Sequence, residues 1–143
     1  MTKLKIVLGL GLLLAAPALA QDMAGDPAEG EQAFRQCQTC HVVADADGNV
    51  LAGRAAKTGP NLYGVIGRQA GTAEDFAYSD ELVAAGEAGL VWDEATIVEY
   101  LQDPTAFLRS HSGNSSARSK MTFRVRSEED AANLAAYIAS LGG

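Results

Sequence analysis

The sequence predicts an all-α fold, several short helices joined by long ordered loops. Three observations carry that expectation. Apolar residues recur at helical spacing behind good capping residues in several stretches. No β run of useful length is visible. The only two cysteines stand beside a histidine in Cys37-Gln38-Thr39-Cys40-His41, a pattern that belongs to a site and around which the rest can be arranged.

Met1 to Ala20 reads as a secretory leader outside the fold. Lys3 and Lys5 give a positive start, Ile6 to Ala16 an apolar run, and Ala18-Leu19-Ala20 a small-x-small cleavage site. The run is too short for a comfortable membrane span, so cleavage after Ala20 is expected, with no permanent anchor and export to a periplasm. An oxidising compartment suits cysteines destined for covalent capture. Residues 21–143 then form one domain, enough for a single core. Loss of the leader removes two lysines and no acids, which takes the net charge from −7 to −9. A nucleic-acid binder is excluded on that balance.

The first helix opens at Asp26-Pro27-Ala28-Glu29. Asp26 suits the N-cap, Pro27 the first helical position, and Glu29 the return arm of a capping box. Gly30 and Phe34 fall on one face, and a glycine inside a helix is either tolerated at a cost or a sign of a close crossing with another backbone. After His41, Asp47-Gly48 signals a tight turn between short apolar runs. Asp45, Asp47 and Asn49 also match the start of a calcium loop, but Ala56 stands where that loop needs a glutamate. A short helix is expected after Asn61, within a glycine-punctuated segment that lacks the phosphate-loop pattern. Ser79 caps a helix that stops at Gly86, and Asp93 caps another whose Ile97, Tyr100 and Leu101 share a face. That helix ends at Asp103-Pro104, where a further turn can start. His111 to Ser119 reads as a mobile polar loop, with Asn114-Ser115-Ser116 a chance glycosylation match. Ser127 caps the last helix, with Leu134, Tyr137, Ile138 and Leu141 in an i, i+3, i+4, i+7 stripe.

The pentapeptide is the attachment signature for c-type haem. On one helical turn two sulfurs can bond neighbouring vinyl groups, and the adjacent His41 can bind the iron. C-x-x-C also suits a dithiol or half a zinc site. A disulfide so close in sequence closes a strained ring, the βαβ setting of a thioredoxin is missing, and further zinc ligands are lacking. One haem c, held through Cys37 and Cys40, is therefore the expected cofactor. The second axial position has three candidates outside the leader: Met23, His111 and Met121. A lone methionine is usually core filler, and the residues alone leave the choice open.

Longer segments resemble the class I cytochromes c, and among them the soluble bacterial cytochrome c2 group. The match runs from Gly25-Asp26 through Gly30-x-x-x-Phe34, the pentapeptide, Thr58-Gly59-Pro60-Asn61-Leu62-Tyr63-Gly64 and Phe76-Ala77-Tyr78-Ser79-Asp80. It continues through Leu90-Val91-Trp92, Glu99-Tyr100-Leu101-Gln102-Asp103-Pro104 and Ser119-Lys120-Met121-Thr122-Phe123 to Leu134-x-x-Tyr137. The resemblance implies helices and loops wrapped around one haem, with the N- and C-terminal helices crossing at Gly30, Phe34, Leu134 and Tyr137. It implies His41 and Met121 as axial ligands and the Pro60 carbonyl as acceptor of the imidazole proton. Arg68, Tyr78 and Trp92 look like donors to the haem propionates. Tyr100 resembles the tyrosine beside the methionine sulfur, and Phe123 the aromatic at the haem edge. Two departures stand out: the segment between Pro104 and Met121 is longer than in the mitochondrial proteins, and the chain is poor in lysine.

By that resemblance the protein is a monomeric one-electron carrier and not an enzyme. It would take electrons from a cytochrome bc complex and pass them to cytochrome c oxidase or a photosynthetic reaction centre. The competing functions are a haem enzyme or gas sensor with a labile sixth ligand, and a dedicated donor to one periplasmic oxidoreductase. From Arg109 to Arg126 the chain carries Arg109, Arg118, Lys120, Arg124 and Arg126 and no acid. This stretch is either a docking face at the haem edge or a solvated charged loop.

Overall fold

The computed structural model describes residues 25–142; the leader expected at residues 1–20, and Met23, lie outside them. The elements run α1 (Pro27–Phe34), β1 (Val42–Ala44), β2 (Val50–Gly53), α2 (Asp80–Glu87), α3 (Glu94–Gln102), α4 (Pro104–Ser112) and α5 (Glu128–Gly142). Helices dominate, as the capping signals predict.

The first and last helices cross at close range. Gly30 is buried in α1, and a Cβ placed on it would overlap the Asn133 carbonyl of α5. Glycine is required here because two backbones touch. Phe34 and Tyr137 pack across the crossing with ring centroids 5.5 Å apart. The N-cap differs in one detail from the sequence expectation. The Asp26 side chain accepts from the Ala28 N–H at 2.8 Å, but the backbone N–H of Asp26 donates to Asn133 Oδ1 at 2.7 Å. The polar arm that closes the cap therefore comes from α5 and not from Glu29. Asn133 is almost fully buried, so the same bond satisfies both groups and fixes the crossing in register.

The structure departs from the sequence reading in three further places. A small antiparallel hairpin is present, pairing Val42 with Gly53, Val43 with Ala52 and Ala44 with Val50, with an irregularity between Val43 and Ala44. Its strands are too short to show alternation, and Val50 and Leu51 are both exposed. The turn is built by Asp45, whose carboxylate accepts from the Asp47 and Asn49 backbone at 3.0 and 2.8 Å. After Asn61 there are turns and no helix. Gly64 and Gly67 both take left-handed φ values of +63° and +83°, which a helix cannot contain. The chain from Ser79 runs as expected, with α2 ending one residue beyond Gly86. The third difference is at residues 111 and 112, which belong to α4 and not to a loop. Arg109 Nε holds the following turn by donating to the Ala117 carbonyl at 3.1 Å, and Ala117 is fully buried.

Asp93 and Thr96 form a reciprocal capping box at the start of α3, and Ser127 Oγ accepts from the Asp130 N–H at 3.1 Å at the start of α5. Along α5, Leu134 and Ile138 are buried while Tyr137 and Leu141 are half-buried. Trp92, Tyr100 and Phe107 pack as one aromatic group behind α3 and α4. Among the described residues no helix is long and apolar enough to cross a membrane.

Candidate functional site

Between the α1–α5 scaffold and the long loops lies a cavity of about 500 Å³. All ten residues singled out in the sequence line it: Cys37, Cys40 and His41, then Pro60 and Arg68, then Tyr78, Trp92 and Tyr100, then Met121 and Phe123. They come from five separate stretches of chain, and most of the remaining lining is apolar.

The pentapeptide continues α1 as helical turns. The His41 N–H donates to the Cys37 carbonyl at 2.9 Å and the Cys40 N–H to the same carbonyl at 3.1 Å. This coiling puts both sulfurs and the imidazole on the cavity wall. Burial pushes the Cys37 thiol up to about 11, with Cys40 beside it adding to the rise. Both sulfurs are free. The His41 Nδ1 lies 2.9 Å from the Pro60 carbonyl. A carbonyl only accepts, so Nδ1 carries the proton and Nε2 keeps its lone pair. Burial lowers the His41 pKa, against the opposing pull of that carbonyl, so the ring is neutral at neutral pH. The ring lies directly against Gly59, where any side chain would overlap it. The 58–62 segment is itself pinned, because Asn61 Nδ2 donates to the Ala44 carbonyl at 2.7 Å and Asn61 Oδ1 accepts from the Ala44 N–H at 3.0 Å.

Arg68 reaches the cavity with its guanidinium anchored on two backbone carbonyls, Tyr63 at 3.1 Å and Asn61 at 3.2 Å. A guanidinium has five N–H donors, so others remain for an anionic group. Burial raises the Tyr78 pKa, partly offset by the charge of Arg68 and a hydrogen bond with the Ala73 backbone. Burial likewise raises that of Tyr100, against the bond to Ser119. Both phenols are therefore neutral donors. Trp92 is buried with its ring edge-on to Tyr100 at 5.2 Å.

Met121 sits on a loop fastened at three points. Ser119 Oγ lies 2.9 Å from the Tyr100 hydroxyl and accepts from the Met121 N–H at 3.1 Å. The Ser119 N–H donates to Thr105 Oγ1 at 3.2 Å. Lys120 Nζ donates across to the Ala77 carbonyl at 2.7 Å, joining the loop to the stretch that carries Phe76 and Tyr78. Phe123 is 42% exposed, so this part of the wall meets solvent. His111, another of the three candidates for the second ligand position, does not line the cavity. Its ring stacks on Phe107 with centroids 3.8 Å apart, and Nδ1 is bonded to the Phe107 carbonyl at 2.9 Å.

This donor set fits a covalently held haem: paired thiols, one imidazole with a free Nε2, one thioether, and an apolar enclosure with an arginine and neutral phenols. No family model matches the chain. It is 51% identical over 137 residues to a cytochrome c2 of Cereibacter sphaeroides, covering 95% of this chain and 93% of that one. A cytochrome c2 of Rhodovulum adriaticum is 58% identical over 121 residues, 85% of this chain and 96% of the relative.

The chain belongs to the cytochrome c2 family.

The fold agrees, superposing on the crystal structure of cytochrome c2 from Rhodobacter sphaeroides with a TM-score of 0.79 at 54% identity, over 81% of this chain and 95% of that one. Cytochrome c-550 from Paracoccus versutus gives 0.77 at 39% identity, over 83% and 99%. The class I cytochrome c fold expected from the sequence is thus the fold found. Cytochromes c2 carry one covalent haem c and transfer electrons; they are not enzymes.

Several residues that shape this cytochrome c2 cavity carried no assigned role in the sequence reading. Ser119 and Gly59 were visible only as members of matching motifs, Lys120 only there and as one charge of the basic stretch, and Thr105 and Asn61 bind backbone at long sequence separations. Their roles depend on which carbonyl or N–H lies opposite, and one-dimensional spacing does not encode that. Gly59 gave the one usable signal, a glycine directly before a proline, close to an expected histidine partner.

Proposed function

We propose that this cytochrome c2 is a soluble periplasmic one-electron carrier, its haem attached through Cys37 and Cys40 and its iron held by His41 and Met121. The observation that carries this reading is that His41, with its proton committed to Pro60, shares one cavity with a thioether on a loop fastened at three points. Bound haem supplies a one-electron iron couple, and thioether ligation raises its potential by favouring the ferrous form.

The chain's own residues do the rest. Pro60 fixes the His41 tautomer and so its basicity toward iron. Ser119 holds the Met121 backbone and the Tyr100 hydroxyl together, which keeps the thioether from wandering as the charge at the centre changes. Arg68, Tyr78 and Trp92 supply donors for propionates, which need them in a low-dielectric site. The apolar walls exclude water, so little has to reorganise when an electron moves. Phe123 marks the exposed edge where a partner comes close.

Partners follow from charge. Arg118, Lys120, Arg124 and Arg126 are exposed around the Met121 loop, although Arg124 is also paired with Asp103 at 3.1 Å. On an acidic protein this makes a dipole, with a positive docking face for membrane redox complexes. A cytochrome bc complex as donor, and cytochrome c oxidase or a photosynthetic reaction centre as acceptor, fit that face. Expression with the leader and the haem attachment machinery, followed by a visible spectrum and redox titration, tests the reading. A single reversible one-electron wave with the spectrum of a low-spin c-type haem supports it, and colourless or multi-wave material refutes it. Electron transfer to such a complex should slow as salt rises; indifference to ionic strength removes the docking face.

A further inference from the structure

The cavity's back wall continues outward as a column of aromatic rings. Trp92 lines the cavity. Its ring lies nearly parallel to Phe107, with centroids 5.6 Å apart and 20° between planes. Phe107 is 2% exposed and lies nearly parallel to His111 on its other side, at 3.8 Å and 19°. Tyr100, also on the cavity wall, meets the same Phe107 edge-on at 5.5 Å.

The outer end of this column is held in place. Phe107 and His111 are four residues apart on α4, so their rings fall on one face. The Phe107 carbonyl accepts from Ser110 Oγ at 2.8 Å and lies 2.9 Å from His111 Nδ1. A carbonyl only accepts, so Nδ1 is the donor in this bond, and Nε2 is the ring nitrogen left outside it. No buried side-chain nitrogen or oxygen lacks a partner among the described residues. Nε2 has none and so reaches solvent. α4 carries no acidic side chain in its first turn and is basic in its last.

We propose that Trp92, Phe107 and His111 form a second electron route between the haem and the surface, ending at the C-terminal end of α4 and distinct from the edge marked by Phe123. This inference rests on the haem assignment made above. Electronic coupling falls off exponentially with distance and most steeply across gaps. The stacked rings make a short, densely packed path from cavity to solvent, crossed by two ring-to-ring steps with centroids 5.6 and 3.8 Å apart. One electron passes from ferrous haem to an oxidised one-electron acceptor over His111, or the reverse from a reduced donor. No bond forms or breaks, and no ring is oxidised on the way. The partner that fits is a negatively charged one-electron carrier.

The test uses His111 itself. With His41 on iron, the chain's other histidine is a unique anchor for a ruthenium photosensitiser on Nε2. After a flash, the excited ruthenium(II) centre gives one electron to ferric haem, and the ferrous haem returns it to ruthenium(III); transient absorption reads both rates. Phe107→Leu should slow both several-fold, and Phe107→Tyr should restore them. In His111→Gln/Ser112→His the anchor moves one residue off the column with the core untouched, and the rates should fall in the same way. If all these proteins transfer at the wild-type rate, the column is only packing and the inference fails. The visible spectrum and reduction potential of each protein are recorded alongside. A missing low-spin haem spectrum would overturn the haem assignment, whereas normal spectra with unchanged rates would overturn only the route.

Discussion

The α1–α5 crossing and the loop half of the cavity are built on different principles. At the crossing, backbone meets backbone through Gly30 and the interface is closed by buried Phe34, Leu134 and Ile138. Its one buried polar side chain, Asn133, is satisfied within the interface. Around the cavity, residues 57–79 and 113–127 contain no helix or ladder strand. They are fixed by side chains reaching distant backbone: Asn61 to Ala44, Arg68 to Asn61 and Tyr63, Lys120 to Ala77. The first region supplies its own core. The second is a set of ties around a space, and its order depends on what fills that space.

The largest effect that would break or sharpen this contrast is loss of the cofactor. Cys37→Ser/Cys40→Ser, which prevents covalent attachment, should abolish hydrogen-exchange protection across 57–79 and 113–127 while α1 and α5 keep measurable protection. Equal loss everywhere would mean that the crossing is no independent scaffold. Next is Gly30→Val, which forces a side chain into the Asn133 carbonyl. Urea unfolding of the haem-loaded protein should show a loss of about 3 kcal/mol, with the visible spectrum preserved until the unfolding transition. Ser119→Ala removes the partner of the Tyr100 hydroxyl and the Met121 N–H. It should cost about 2 kcal/mol and, unlike the glycine change, should shift the reduction potential. A stability loss with an unmoved potential would detach Ser119 from the site.

The smallest effect is at the α3 cap, which belongs to neither region. Asp93→Ala should cost about 1 kcal/mol at neutral pH. The Thr96 backbone N–H, then its hydroxyl, holds the Asp93 carboxyl below the usual range. A lowered folded pKa stabilises above the unfolded value, and that contribution is lost as pH falls through the folded one. The difference between wild type and variant should therefore shrink on acidification.

The same contrast explains what was legible in the sequence. Helices announce themselves locally: Asp26-Pro27, Ser79, Asp93, Asp103-Pro104 and Ser127 each sit at or beside the observed starts, and Gly30 marked the crossing. Loop geometry does not. The hairpin at 42–53 was missed because its strands are short and both Val50 and Leu51 face solvent. The helix expected after Asn61 failed because the Asn61 side chain caps a distant backbone and the glycines that follow turn left-handed. His111 seemed part of a polar loop because stacking on Phe107 leaves no trace in composition. Of the residues that line the cavity, Cys37, Cys40 and His41 stood out from spacing alone. Met121, Arg68 and Tyr78 needed the family resemblance, since isolated residues on loops carry no periodicity.

The central claim is that an imidazole and a thioether hold the iron from residues 41 and 121. Carbon monoxide binding to the ferrous protein at neutral pH, wild type beside Met121→Ala, tests it most directly. The wild type should take up none on the timescale of mixing, and the variant should bind it at once with a changed visible spectrum. Ready uptake by the wild type, or two proteins with the same spectrum and the same indifference to the gas, would contradict the assignment of Met121.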